Sequence, residues 1–317
     1  MQDLEALKEY YRHGMGQAVA KFESFRRKKI AYVLIFGLFL LGVSATVFIT
    51  GRSGGNGFMG GVLLIISVPL FSFVAYRAWK DYRLAYKREL ITPLINQMAP
   101  QTTYSPEAHV PEQQFLNSGL FSTRGYSRFT GEDLVQGTLH GIEMQFSELH
   151  VTRSGKESDV VIFRGLFLVA YVNSPIEGSV KVIPDLGTVL PDNAVGRMLR
   201  SLIERYRPMP AGHLVKTGNE AFDRTFQVIS QEESEATAVI TRDLQKAILE
   251  LQEIAQHTVR VAFEKDCIYI ALDVTDDLFE IPFLKTVKSY DIVHRFVGDL
   301  QRALRVVELV STQTNSG

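Results

Sequence analysis

The chain carries two uncharged apolar stretches, IAYVLIFGLFLLGVSATVFIT at residues 30–50 and FMGGVLLIISVPLFSFVAY at residues 58–76. A helix rises about 1.5 Å per residue and the hydrocarbon core of a bilayer is about 30 Å thick, so about 20 apolar residues span it. Both stretches have about that length, and only GRSGGNG at residues 51–57 separates them. The sequence therefore predicts a transmembrane hairpin over residues 30–78.

Basic residues flank this hairpin on the outer side of both stretches, whereas the turn carries only Arg52. Because Lys and Arg are retained on the cytoplasmic side, we expect a multi-pass protein of the bacterial inner membrane with both termini in the cytoplasm. A cleaved signal peptide has a shorter apolar core and no long polar segment before it. A buried hairpin in a soluble protein is disfavoured, because core helices of this length usually contain a charge. The flanking residues are Arg26, Arg27, Lys28 and Lys29, then Arg77, Lys80, Arg83, Lys87 and Arg88.

The net charge of −1 combines a basic and an acidic part. Residues 1–99 contain 13 Lys+Arg and 6 Asp+Glu, net +7, and residues 100–317 contain the remaining 21 and 29, net −8. The basic part suits the anionic headgroups of membrane lipids, and the acidic part has no basic stripe for nucleic acid. Cys267 is the only cysteine, which excludes an intrachain disulfide and suits a reducing compartment.

Apolar residues recur every three or four positions on both sides of the hairpin, in residues 1–29 and 77–99. We expect an amphipathic N-terminal helix and a second helix that pack together as an antiparallel, coiled-coil-like stalk. Two alternatives remain: the N-terminal helix could lie on the membrane or pair with another chain, and Trp79, Tyr82 and Tyr86 could form an aromatic belt at the membrane surface.

A Pro-rich linker at residues 100–117 precedes a domain at residues 118–317 in which the apolar period becomes strand-like. Its fold class is α+β, an antiparallel sheet with helices. Gly137, Gly141 and Gly165 are expected at bulges or close backbone approaches. The predicted strands are residues 136–152, 159–173, 178–183 and 222–230 and a hairpin of 258–264 with 267–274; the predicted helices are residues 192–206, 232–256 and 290–310.

His140, Glu148 and His150 form the most enzyme-like combination, because neighbouring strands could bring two imidazoles and a carboxylate to one metal ion. A polar outer face of the sheet explains the same residues, and no HExxH motif, Walker loop or GxSxG elbow accompanies them. We therefore expect no enzymatic activity and no cofactor or bound metal.

An arginine interrupts the apolar run FRGLF, and this makes it the candidate partner-binding residue. A regular strand puts Arg164 on the face of Leu166, where a charge needs either a bulge beside Gly165 or a partner. Phe163 and Phe167 complete the candidate partner-binding set, and their side chains are expected in the core.

The segments HG at 140–141, FSEL at 146–149, FRGLF at 163–167 and PD at 184–185 resemble the bacterial "domain of unknown function 3137" family. The later FQVIS and LFE segments at 226–230 and 278–280 fit the same pattern, so the similarity covers roughly residues 120–285. The family has no established activity and implies only an architecture. Genes of this family often lie beside genes for LemA-type helical membrane proteins, and the resemblance therefore implies one candidate partner.

The most consistent function is a scaffold or sensor that binds a protein partner at the cytoplasmic face of the inner membrane. A module that binds a lipid headgroup or small ligand is the alternative, and a metal-dependent hydrolase is third. Membrane lipids and a membrane protein are the expected partners, and homo-oligomerisation stays open.

Overall fold

The computed structural model describes residues 8–53, 57–122, 126–139, 141–155, 158–185, 212–255, 258–274, 283–284, 286–287 and 305–308. The chain forms two compact units. The helical unit contains Glu5–Leu94 and Phe279–Ile292, and the sheet unit contains Met1–Leu4, Ile95–Leu278 and Val293–Gly317.

The helical unit is built on two long helices, α1 (Gly16–Ser53) and α2 (Gly57–Tyr86). Each contains a stretch long and apolar enough to cross a membrane. A π-helical turn at Tyr10–Gly14 precedes α1, and another at Lys87–Ile91 follows α2 and leads into the short helix α3 (Thr92–Met98). The prediction of an N-terminal helical segment with two apolar spans is confirmed.

The helical extensions outside the apolar stretches pack on each other, as the sequence predicts for a stalk. The Phe22 ring lies 5.3 Å from the Tyr82 ring and 5.8 Å from the Tyr86 ring, and all three side chains are buried. Lys29 forms an ion pair of 2.9 Å with Asp81. Tyr82 and Tyr86 are therefore core residues of the stalk rather than parts of an aromatic belt.

The described part of the sheet unit forms a seven-stranded antiparallel sheet in the order β1-β2-β3-β4-β6-β5, with β7 also paired to β4. This confirms the α+β class with an antiparallel sheet. The strands are β1 (Thr102–Ser105), β2 (Arg128–Leu139), β3 (Ile142–Arg153), β4 (Val160–Pro184), β5 (His213–Val215), β6 (Phe226–Ser230) and β7 (Val259–Asp273).

The predicted hairpin of residues 258–264 and 267–274 is wrong, because these residues form the single strand β7. β7 runs antiparallel to β4, from the pair Gly165 and Asp273 to the pair Val182 and Val261. Lys265 has φ 55°, and the register shifts here, so the polar Lys265-Asp266 pair forms an irregularity within a strand and not a turn. The two strands predicted at 159–173 and 178–183 likewise merge into β4.

The helices of the sheet unit differ from the predicted ones at their ends. The predicted strand 222–230 begins as helix α5, whose N-cap is the Asn219 side chain. The predicted helix 232–256 is interrupted at Ile240, whose carbonyl accepts a hydrogen bond from the Gln245 side chain. The helices that the described residues between 100 and 274 form are α4 (Glu112–Asn117), α5 (Glu220–Thr225), α6 (Glu233–Val239) and α7 (Arg242–Ala255).

The segment 100–117, predicted as a linker, holds strand β1 and helix α4. Thr102 to Ser105 pair with Gly137 to Leu134 of β2, and Phe115 is buried in the core of the sheet unit. The prolines and polar residues of this segment therefore accompany a short strand and a short helix rather than an unstructured linker. The predicted helix 192–206 lies outside the described residues, and of the helix predicted at 290–310 only 305–308 are described, as helix.

Candidate functional site

The three residues of the predicted metal cluster have different surroundings. Glu148 is buried on β3, whereas His150, two residues later, is exposed. In the register, Glu148 lies opposite Leu166 and His150 opposite Arg164. His140 lies outside the described residues, and within those residues no group of three His, Cys, Asp or Glu side chains is arranged to hold a metal ion.

The candidate partner-binding residues divide into core and surface. Phe163 and Phe167 are buried, and both rings pack against Phe115 at 6.0 and 5.4 Å. Arg164 is exposed, and its carbonyl accepts a hydrogen bond of 3.0 Å from the Val274 amide. Only the arginine side chain of this set can therefore contact a partner directly.

The sheet unit contains a lysine–serine–carboxylate cluster that resembles a catalytic dyad in composition. Lys181 Nζ donates to Ser179 Oγ and to Glu264 Oε1, both at 2.6 Å, and Ser179 also donates to Glu264. Lys181 and Glu264 thus form an ion pair, and Ser179 bridges the two side chains. The cluster fits the role of neutralising a buried lysine.

Cys267 is likewise unsuited to nucleophilic chemistry. It is buried, and burial raises the pKa of its thiol to about 11. The thiol therefore stays protonated at neutral pH, and a protonated thiol is a poor nucleophile. Cys267 instead belongs to the hydrophobic core of the sheet unit.

A cluster of three charged side chains, Glu23, Arg26 and Arg27, lies in the stalk. Glu23 is buried and accepts hydrogen bonds from Arg26 at 2.6 and 3.0 Å and from Arg27 Nε at 3.1 Å. The hydrogen bond from Arg26 lowers the pKa of Glu23 to about 2, and the bond from Arg27 acts in the same direction against the effect of burial. Glu23 is therefore ionised at neutral pH, and Arg26 is buried with its charge compensated.

This cluster binds the backbone of a distant segment of the chain. The Tyr11 hydroxyl donates to the Val287 carbonyl at 2.5 Å, and Glu23 accepts from the Val287 amide at 3.5 Å and the Thr286 hydroxyl at 3.4 Å. Arg26 donates to the Phe283 carbonyl at 3.2 Å. These hydrogen bonds from stalk side chains to the main chain of Phe283 and Val287 hold this part of the chain on the stalk.

Aromatic packing adds an apolar component to this contact. The Phe283 ring meets the Tyr82 ring edge-on at 5.0 Å. Burial raises the pKa of both Tyr11 and Tyr82 to about 12, so both hydroxyls stay neutral. Among the described residues, the buried hydroxyls of Tyr82 and Tyr86 have no hydrogen-bond partner.

Sequence reasoning missed this site, because it assigned residues 118–317 to one domain and treated 30–78 as an isolated hairpin. One signal was present: Glu23 is the only acidic residue between Glu9 and Asp81. A lone carboxylate within a basic stretch is a candidate for a buried, paired group. Nothing in the sequence pointed to Val287 as its second partner.

Comparison with known proteins agrees with the family resemblance. The family described as "Protein of unknown function (DUF3137)" matches residues 161–311, a region further toward the C-terminus than the similarity noted in the sequence. No curated protein matches the chain. The crystal structure of the mycobacterial trehalose monomycolate transport factor A, TtfA, is similar with 12% identity and a TM-score of 0.31, over 65% of this chain and 88% of that chain. A likeness at that TM-score carries no functional argument.

Proposed function

We propose that the chain is a membrane-anchored docking protein of the bacterial inner membrane. The two apolar stretches cross the bilayer, both termini are cytoplasmic, and the sheet unit offers a surface to a protein partner. The single observation behind this proposal is the change in side-chain exposure along α1 and α2.

Many large apolar side chains of the two stretches are exposed, from Tyr32 to Ile49 on α1 and from Val62 to Tyr76 on α2. Ile35, Leu38 and Ile65 are 67%, 69% and 74% exposed. Burying such a side chain contributes about 1.5–3 kcal/mol, so a surface made of them is stable only in an apolar surrounding. In the stalk the pattern reverses, and Phe22 and Tyr82 are buried between the helices.

The position of this reversal coincides with the basic flanks. Exposed large apolar side chains begin beyond Lys29 on α1 and end before Arg77 on α2. Since both flanks lie at the stalk end of an antiparallel helix pair, the positive-inside rule favours a stalk on the cytoplasmic side.

The orientation is tested by labelling with a membrane-impermeant thiol reagent in whole cells. The background is Cys267→Ser, which removes the only native cysteine. We expect Ser53→Cys to react and Ser316→Cys to react only after the cells are permeabilised. Labelling of position 316 alone in intact cells overturns the orientation, and equal labelling of both positions overturns the anchor.

The docking surface that we propose surrounds Arg164 at the beginning of β4. Val160 and Val161 are exposed here at 36% and 46%, four and three residues before the exposed arginine on the same strand. Apolar side chains beside an arginine are typical of protein-binding surfaces. The proposed partner is a membrane protein, with a LemA-type helical protein as the first candidate to test and a second copy of this chain as another.

Site-specific photo-crosslinking in native membranes tests this surface. A photoreactive residue at position 161 should give a discrete cross-linked band that the substitution Arg164→Gln weakens. The matched control is position 246 on α7, where the Lys246 side chain is 78% exposed. Equal cross-linking at positions 161 and 246, or a band that Arg164→Gln leaves unchanged, contradicts the docking proposal.

A further inference from the structure

An apolar groove lies in the helical unit where the stalk meets the two apolar stretches. Its volume is about 390 Å³, within the range of roughly 300–1,000 Å³ that is common for small-molecule sites. Almost all of its lining is apolar. The lining residues are Ile30, Val33, Leu34, Ala75, Tyr76, Trp79, Phe283 and Leu284.

One wall of this groove comes from the segment that the stalk holds. The Phe283 carbonyl accepts the Arg26 hydrogen bond, the Phe283 ring packs on Tyr82, and Leu284 is the next residue. Leu284 is 79% exposed, the largest exposed fraction among the large apolar side chains of the described residues. Leu284 lies in the lining of the groove together with side chains of the apolar stretches, so it extends their exposed apolar surface.

The location of the groove determines the kind of neighbour. Ile30 is the first residue of one apolar stretch and Tyr76 the last residue of the other, so the groove opens at the boundary between hydrocarbon and headgroups. Leu34 and Tyr76 line it and are themselves 60% and 57% exposed, which makes the groove continuous with the surface that faces lipid under the proposed function. Trp and Tyr favour this depth of a membrane.

Positive charge surrounds the opening. Arg27 lies one helical turn before Ile30, and Lys80 lies one turn after Tyr76, and both are exposed. The Arg83 guanidinium lies 5.0 Å from the centroid of the Trp79 ring. Lys and Arg at this depth attract anionic headgroups, at about 1 kcal/mol for each residue.

We propose that the groove binds one anionic phospholipid of the cytoplasmic leaflet, with an acyl chain along the apolar lining and the headgroup phosphate against the basic residues. Through Leu284 the bound lipid also contacts the segment that Glu23 and Tyr11 hold, so this site connects the membrane to the stalk. The inference rests on the proposed membrane anchoring.

Trp79 is the only tryptophan, so its fluorescence reports on the groove without labelling. The full chain is reconstituted into phosphatidylcholine nanodiscs that contain the same low mole fraction of brominated phosphatidylglycerol or brominated phosphatidylcholine. We expect the anionic quencher to be at least about twofold more effective, because the basic residues enrich it at the groove.

Two variants and a control separate the site from general membrane contact. Leu284→Ala removes one apolar wall at an exposed position and should bring the two quenching efficiencies close together. Lys80→Gln, which removes a positive charge at the opening outside the Glu23 cluster, should lower the preference for the anionic quencher while phosphatidylcholine quenching persists. Leu38→Ala, which changes an exposed leucine outside the groove lining, should retain the preference.

Equal quenching by both lipids in the unsubstituted protein overturns the lipid site but leaves the anchoring proposal intact. If neither lipid quenches Trp79, the lipid site is also overturned, and the thiol labelling identifies the reason. A retained labelling pattern then means that another protein chain covers the groove, and a lost pattern means that the helices do not anchor the chain in a membrane.

Discussion

The Tyr11 hydroxyl donates a hydrogen bond of 2.5 Å to the carbonyl of Val287, although 276 positions of the sequence separate the two residues. The amide of the same Val287 donates to Glu23. Both main-chain groups of one residue are thereby held by side chains of the N-terminal helical segment. This relationship makes Glu23 the residue through which the charge of the stalk stabilises a distant segment.

Glu23→Gln is expected to loosen the segment at residues 283–287. The substitution leaves Arg26 buried without a carboxylate, and breaking a buried ion pair costs about 3–5 kcal/mol. Hydrogen exchange of the Val287 amide, measured by mass spectrometry of the full chain in detergent, should become faster. Glu89→Gln, at an exposed position of the same unit, is the control and should leave the exchange rate unchanged. Equal exchange in both variants contradicts this role of Glu23.

The stability that Glu23 contributes should depend on pH in the acidic range. Its pKa in the folded protein is lowered to about 2 from the usual 4.5 by the hydrogen bond from Arg26. Its contribution is therefore complete above about pH 4.5 and is lost as the pH falls toward 2. We expect the melting temperature in detergent to fall less between pH 5 and pH 3 in Glu23→Gln than in the unsubstituted protein. A parallel fall in both proteins means that other carboxylates cause the acid sensitivity.

Gly165→Ala should strongly destabilise the sheet unit. Gly165 has φ +149°, and a Cβ at this position would lie 2.6 Å from the Val274 amide nitrogen and closer still to the Leu272 carbonyl oxygen. Both are backbone atoms, so β4 and β7 must separate, and we expect a cost of about 3 kcal/mol or more. Gly141→Ala is the matched control, because its φ is +81° but no atom lies within 4 Å. Denaturant unfolding measures both, and similar costs would show that conformation rather than close approach requires Gly165.

Substitutions in the FRGLF run should lower the free energy of unfolding by very different amounts at its buried phenylalanines and at its exposed arginine. Phe163→Ala and Phe167→Ala remove buried rings and should each cost about 3–5 kcal/mol of unfolding free energy. Arg164→Gln changes an exposed side chain and should shift it by less than about 1 kcal/mol. Circular dichroism during urea unfolding measures all three. A loss in Arg164→Gln as large as that of the phenylalanine variants would make the arginine structural and remove it from the docking surface.

Much of the fold could be read from local patterns. The apolar stretches and the helical period of the stalk are properties of short segments, and the structure confirms them. The single strand predicted at 136–152 is wrong, because the chain turns at Gly141 between β2 and β3. Gly137 and Gly165 were expected at close backbone approaches, and both have positive φ with backbone atoms in the way of a Cβ. The length of β4 and β7 could not be predicted, because a polar pair such as Lys265-Asp266 has the composition of a turn. Only pairing along β4 keeps that strand continuous.

The stalk site illustrates the opposite case. Glu23 carries a local signal, but its function depends on Val287, and no periodicity connects residues so far apart. A long-range hydrogen bond to a main-chain group requires no particular residue type, because almost every residue has an amide donor and a carbonyl acceptor. The sequence therefore does not show which residue is the partner. Leu284 lies in the lining of the apolar groove next to Phe283, whose main chain is hydrogen-bonded to Arg26, and this bond likewise has no signature in the sequence.

Packing between the two apolar stretches provides a last test, which concerns Gly37 and Phe71. A Cβ on Gly37 would lie 2.8 Å from the Phe71 ring, whereas a Cβ on Gly42 meets no atom within 4 Å. Small residues allow close approach of membrane helices, and added bulk at such a contact typically costs about 1–3 kcal/mol. Gly37→Leu should therefore lower the melting temperature of the full chain in detergent, and Gly42→Leu, which adds the same side chain five residues further along α1, should not. If the two variants melt alike, Gly37 does not set the distance between the helices, and their pairing depends on the stalk contacts of Phe22 with Tyr82 and Tyr86.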